Sequence, residues 1–369
     1  MQSIGKRGFW IGVAALLGAG AFTASALAAT TAEPAAPFVA TLASPWQGAL
    51  PDGWVLGDVS AVEVDRKGQV YLLHRPATVR QADRAHAAPP ILVFDRNGRF
   101  LRGLGGPGDG YDWPRIEHSL AVDRKGRIWI SGNFRAKAEE ADDQILVFDR
   151  NGRFLRQLGK RGASQGNADT ANFGAPADIF VDDARREVYV ADGYVNRRLI
   201  VLDSETGAFK RMWSAFGAPP PAEPGPTPRL PGRPFTPDEG DGPAGFNGVH
   251  GVEVARDGTV YVADRLNQRV QLFTRAGKYL GQVFVDRNFP SPTTASGLAL
   301  SADRAQKYLY VADLGNNQFL VFDRARRQLV QRVTEGFAGP HLIASGPDGA
   351  IYVAEIQGRR VTKVTLRKR

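Results

Sequence analysis

The sequence predicts an all-β protein, a six-bladed β-propeller, and three observations carry that prediction. A strand pattern of the type x-Val-Tyr-Val-Ala-Asp returns six times along the chain, sometimes altered but always recognisable. Each copy sits inside a longer unit of apolar strands separated by Asp, Asn and Gly turns, which is the signature of antiparallel strands in succession. No long segment shows the 3.6-residue periodicity of an amphipathic helix. Four strands per unit and six units close a ring of blades around a central channel.

Taken in order, the second strands of the units are read at 69–73, 127–130, 187–192, 259–264, 308–313 and 350–355. Third strands include 91–95, 145–149, 270–273 and 319–323, and fourth strands follow at 100–104 and 154–158. The last unit has no obvious fourth strand after Leu366, whereas Phe38-Val39-Ala40-Thr41-Leu42 is a strand without a unit of its own. Pairing the two would close the ring and cover two open sheet edges. A proline- and glycine-rich insertion at about 218–245 joins the third blade to the fourth and reads as an extended loop.

Residues 1–28 read as a secretory signal peptide and 29–369 as a single propeller domain. Lys6 and Arg7 precede an apolar run from Phe9 to Phe22, and Ala26-Leu27-Ala28 offers an A-x-A cleavage site. The run is short for a membrane span, so no stable span is expected once the signal is removed, and the protein is expected in the periplasm or outside the cell. Export permits disulfides, yet the chain has no cysteine. Its stability must come from a packed core, and thiolate ligands and cysteine nucleophiles are excluded. The formal charge of +9 is scattered over turns, not gathered into a stripe with interleaved aromatics, which argues against a nucleic-acid partner.

Three of the five histidines, His118, His250 and His341, stand at the same place in their units, at the start of the first strand. The aligned residues of the other blades are Ser60, Ala177 and Ser296. Histidines on every second blade of a six-fold ring lie about 120° apart around the axis. Three imidazoles converging on one centre form a metal site, and zinc suits neutral imidazole and a three-ligand set with an open position. In a four-stranded meander the turn between the second and third strands lies at the same end as the start of the first. That places Arg75, Tyr194 and Arg265 on the histidine face. The Asp that ends each Val-Ala-Asp is read as a turn-holding residue.

These residues resemble those of peptidyl-α-hydroxyglycine α-amidating lyase, on a chain whose repeats resemble the NHL repeat. The resemblance runs through Val59-Ser60-Ala61-Val62, Leu73-His74-Arg75, the three histidine segments, Ala191 to Arg198 and Val262 to Asn267. It implies zinc ligands at His118, His250 and His341, a catalytic tyrosine at Tyr194, and active-site arginines at Arg75 and Arg265. The expected substrate is a small molecule or peptide bearing a carboxylate, which arginine recognises through paired hydrogen bonds. The implied reaction breaks a carbinolamide C–N bond, giving an amide and glyoxylate.

The chain departs from the family at Gly339, where the family has methionine, and at Leu342, where it has an acidic residue associated with calcium. The histidine set makes zinc the expected metal, and Leu342 puts the family's calcium in doubt. Two other readings stay open: a non-catalytic NHL propeller that binds a protein or envelope polymer, and a metal-dependent ester or lactone hydrolase.

Overall fold

Alternation along each strand decides how the chain packs. In the second strand of the fourth blade, Val260 and Val262 point to one side and join the cluster shared with the third blade. Tyr261 and Ala263 point to the other side and join the cluster shared with the fifth. The same two-residue period in every blade gives an apolar cluster at each junction, so the core is a ring of interleaved sheets.

The computed structural model describes residues 36–369 except 52, 223–239, 288 and 290–292. Its strands form six four-stranded antiparallel sheets, five of them built from four consecutive strands. The sixth takes its outer strand from the N-terminus: Phe38–Ala43 pairs antiparallel with Arg360–Lys368, from Phe38 opposite Lys368 to Ala43 opposite Lys363. Phe38 then packs into the cluster between the fifth and sixth blades, so closure buries side chains as well as pairing backbone.

The only helical pieces among the described residues are short 3₁₀ turns, and none of the helices there is long and apolar enough to cross a membrane. The signal reading of residues 1–28 falls outside the described residues, as does most of the insertion at 218–245.

The acidic residue ending the second strand is structural in several blades. Asp192 pairs with Arg198 at 2.8 Å and Asp264 with Arg269 at 2.7 Å, all four side chains fully buried. Asp192 also accepts from the Gly174 N–H and the Asn196 side chain. Such pairs cost desolvation, but once satisfied on every side they fix the loop they span. The loop spanned by Asp192 and Arg198 carries Tyr194.

Candidate metal centre

The first strands of the second, fourth and sixth blades carry the three histidines, and each strand breaks register where its histidine sits. The shifts fall between Glu117 and Ser119, between Val249 and Gly251, and between Pro340 and Ile343. A bulge leaves one residue unpaired and re-aims its side chain. Here the re-aimed residues converge on the channel axis. The imidazole centroids form a nearly equilateral triangle with sides of 5.1, 4.8 and 4.9 Å. One ring nitrogen from each histidine lies within 4.8 Å of the others.

The neighbouring blades orient the rings. His118 Nδ1 donates to the Ala177 carbonyl at 2.8 Å, His250 Nδ1 to Ser296 at 2.9 Å, and His341 Nδ1 to Ser60 at 2.6 Å. Ala177, Ser296 and Ser60 are the residues aligned with the histidines in the blades that lack one. A carbonyl can only accept, so each Nδ1 carries the proton and each Nε2 keeps its lone pair. Burial, then neighbouring cations and imidazoles, hold His118 and His250 well below the ordinary imidazole range, while burial and Arg75 push His341 down to about 3. Three neutral imidazoles with inward lone pairs and carbonyl-fixed outer nitrogens fit a zinc-like ion.

His74 shows the contrast. Its Nδ1 accepts from the Gly57 N–H and its Nε2 donates to the Pro89 carbonyl, so neither nitrogen is left for a metal.

Tyr194 stands at the triad. Its hydroxyl oxygen lies 2.7 Å from His118 Nε2 and 3.0 Å from His250 Nε2. Gly193 makes that approach feasible: a Cβ there would lie 2.1 Å from the Val249 carbonyl oxygen, on the strand that carries His250. Arg265 places its guanidinium 5.5 Å from the centre of the Tyr194 ring; its side chain makes no hydrogen bond to a described residue, and its Nε is buried. Arg75 is anchored through Nε to the Glu117 carbonyl at 2.8 Å, beside His118, and its terminal nitrogens make no hydrogen bond to a described residue. The structure thus brings together His118, His250, His341, Tyr194, Arg75 and Arg265.

Two neighbours were not anticipated from the sequence. Arg135, in the loop at 133–143 between the second and third strands of blade two, lies 4.6 Å from the centre of the Tyr194 ring. Asp178, next to Ala177, accepts from Ser119 Oγ at 2.9 Å and from the Val252 N–H at 3.0 Å. It therefore ties the strand bearing His118 to the strand bearing His250. Below the triad a well of about 560 Å³, lined in part by Glu63, Asp178 and Glu253, opens at the opposite end of the channel.

No protein-family profile matches the chain. Among curated proteins, NHL repeat-containing protein 3 of Mus musculus is 28% identical over 295 residues, covering 76% of this chain and 74% of its own length. The chain resembles both NHL-repeat proteins and amidating lyases. A probable peptidyl-alpha-hydroxyglycine alpha-amidating lyase of Caenorhabditis elegans is 23% identical over 330 residues, covering 84% of this chain and 83% of its own. Peptidyl-glycine alpha-amidating monooxygenase B of Xenopus laevis is 26% identical over 346 residues, covering 85% of this chain but 34% of its own. A solved streptogramin B lyase structure superposes with a TM-score of 0.50 at 14% identity, over 89% of this chain and 98% of that one. That likeness concerns the fold.

The buried imidazoles predict a pH effect on the metal-free protein. A histidine whose folded pKa lies below its unfolded value of 6.5 contributes its full stability above pH 6.5, and the contribution is lost as pH falls toward the folded value, about 3 for His341. The slope is about 1.4 kcal/mol per pH unit for each imidazole kept neutral. Glu117 and Glu63, raised by burial to about 7 and about 8, work in the opposite direction across this range. The imidazole term is therefore read as a difference: in denaturant melts without metal, the wild type should lose ground to His341→Gln between pH 6.5 and 5. A pH-independent difference contradicts this.

Proposed function

We propose that the chain is an exported, zinc-dependent carbon–nitrogen lyase that splits a peptidyl-α-hydroxyglycine-like carbinolamide into an amide and glyoxylate. The observation that carries the reading is the Tyr194 hydroxyl, held within hydrogen-bond reach of Nε2 on two members of the histidine triad. A fold built only to display a binding surface has no need of a phenol at that position, beside two arginines whose terminal nitrogens make no hydrogen bond among the described residues. The lyase relatives add support, since the likeness extends over most of the chain.

His118, His250 and His341 would hold the zinc, which when bound supplies a Lewis acid for the substrate's hydroxyl oxygen. Tyr194 takes the hydroxyl proton as general base. The carbon–oxygen bond becomes a carbonyl, and the carbon–nitrogen bond breaks with its electron pair going to nitrogen. The proton taken by Tyr194 passes to that nitrogen, so an amide and glyoxylate form without consuming water. Arg265 receives the substrate carboxylate on its guanidinium, and Arg75, anchored through Nε, adds its terminal nitrogens. Holding the carboxylate and the hydroxyl together fixes the bond to be broken over the tyrosine.

The likeness to the mouse NHL-repeat protein favours a second reading, a propeller that binds a protein or envelope polymer without catalysis. One experiment separates the two. Purified protein is assayed for bound metal and for glyoxylate release from α-hydroxyhippurate, before and after zinc is added. Stoichiometric zinc with turnover is expected; a protein that remains inactive after zinc loading sinks the lyase reading.

A further inference from the structure

Blades one and two carry the same pair of turns. Asp-Arg-Lys-Gly joins their first and second strands, at 65–68 and 123–126, and Asp-Arg-Asn-Gly-Arg joins the third and fourth, at 95–99 and 149–153. The antiparallel order puts all four turns at the end of the propeller away from the histidines. Blade three departs from the pattern: its last turn reads Asp203-Ser204-Glu205, so Glu205 stands where blade two has Asn151.

Three differences set the charge balance of two equivalent junctions: Gln69, Arg150 and Asn151 at the first stand where Arg127, Ser204 and Glu205 stand at the second. Between blades two and three, the Glu205 carboxylate accepts from Lys125 Nζ at 3.0 Å and from the Arg127 terminal nitrogens at 2.8 and 3.1 Å. Arg156, from the fourth strand of blade two, donates to the Ser204 and Glu205 carbonyls. The protein's own anion fills this junction.

Between blades one and two the same place is a cleft of about 300 Å³ with Asn151 at its edge. Arg66, Lys67, Arg102, Arg124 and Arg150 line it, and none of the five side chains forms an ion pair among the described residues, although the Arg124 backbone N–H donates to Asp183 at 2.8 Å. Its two carboxylates are already occupied. Asp65 accepts from the N–H groups of Lys67 and Gln69, and Asp123 is held by Arg127 and the Trp129 indole. Among the described residues the side chain of Arg102, the counterpart of Arg156, reaches only Tyr71 Oη at 3.4 Å and the Arg150 carbonyl at 3.3 Å, and its buried Nε has no partner there. Gly126 leaves room for the Arg150 guanidinium, whose nitrogen would lie 3.2 Å from a Cβ at that position.

We infer that this cleft is an anion site that takes a phosphate-bearing ligand where the next junction uses Glu205. Five cations against two engaged carboxylates call for a ligand with more than one negative charge, and guanidinium forks match phosphate oxygens in pairs. The site lies at the far end from the histidines, so an occupant leaves that face open to solvent. The same chemistry is presented by a soluble phosphoester and by an anionic lipid headgroup. The inference is independent of the reaction assigned to the histidine face.

The test titrates the full chain calorimetrically with inorganic pyrophosphate and sediments it with phosphatidylglycerol vesicles, phosphatidylcholine vesicles serving as control. Binding to at least one anionic probe is expected, weakened by raised salt. Asn151→Glu, which copies the residue blade three already accommodates, should weaken it at least tenfold, and Arg102→Gln should do so as well, with zinc content unchanged. Binding of pyrophosphate alone supports the site with a soluble source, and vesicle retention supports it with a headgroup. Absence of binding to every anionic probe overturns the inference, as does binding that neither variant weakens.

Discussion

On the proposed lyase reading, replacing His250 with alanine should abolish stoichiometric zinc binding and lower glyoxylate release by at least about 1000-fold, the scale of a lost metal that supplies several kcal/mol of transition-state stabilisation. The expectation follows from geometry. Each histidine offers one lone pair to the centre, and its outer nitrogen is already fixed by a main-chain carbonyl from the next blade. No other described histidine, cysteine or acidic residue completes such a group when one member is removed. Metal analysis of the purified variant beside turnover of α-hydroxyhippurate is the measurement. Full zinc content in the alanine variant would contradict the assigned ligand set, whereas full zinc with lost turnover would place His250 in the chemistry alone.

Tyr194→Phe should separate binding from chemistry. The variant keeps the ring, its contacts with Arg135 and Arg265, and the Asp192–Arg198 pair that holds the loop. Only the hydroxyl near His118 and His250 is lost. Zinc content should stay stoichiometric and KM should change little, while kcat falls by about 10²- to 10⁴-fold, the usual loss for a removed general base. Unchanged kcat would assign the proton transfer to another group. A rise in KM with kcat unchanged would instead make Tyr194 a substrate contact.

A repeat makes some features legible that an ordinary fold would hide. Ring closure turns equivalence in sequence into equivalence around an axis, so His118, His250 and His341 can be brought together on paper although they are far apart along the chain. The closing strand is legible for a related reason, because Phe38–Ala43 lacked a sheet and the last sheet lacked a strand.

What escaped depends on backbone. The carbonyls that orient the histidines belong to Ala177, Ser296 and Ser60, and a carbonyl leaves no mark on residue type. Asp178 acts on the Val252 N–H, which lies just beyond the register shift in its strand. Arg135 sits in the loop at 133–143, which differs in length and sequence from the blade-one loop at 76–90 and offers no register to align. In each case the residue acts through a local irregularity, and a periodic pattern is blind to those.

The hydrogen bond from His341 to Ser60 has a consequence for the order of events during synthesis. It links the last blade to the first, and that last blade is completed by a strand from the N-terminus. The three-nitrogen pocket therefore does not exist on a partly made chain, whatever the state of blades two to five. A metal offered to an elongating molecule meets two imidazoles at most. On the proposed metal-binding reading, metal capture would be a late event that registers a finished ring, and metal occupancy would double as a readout of correct assembly.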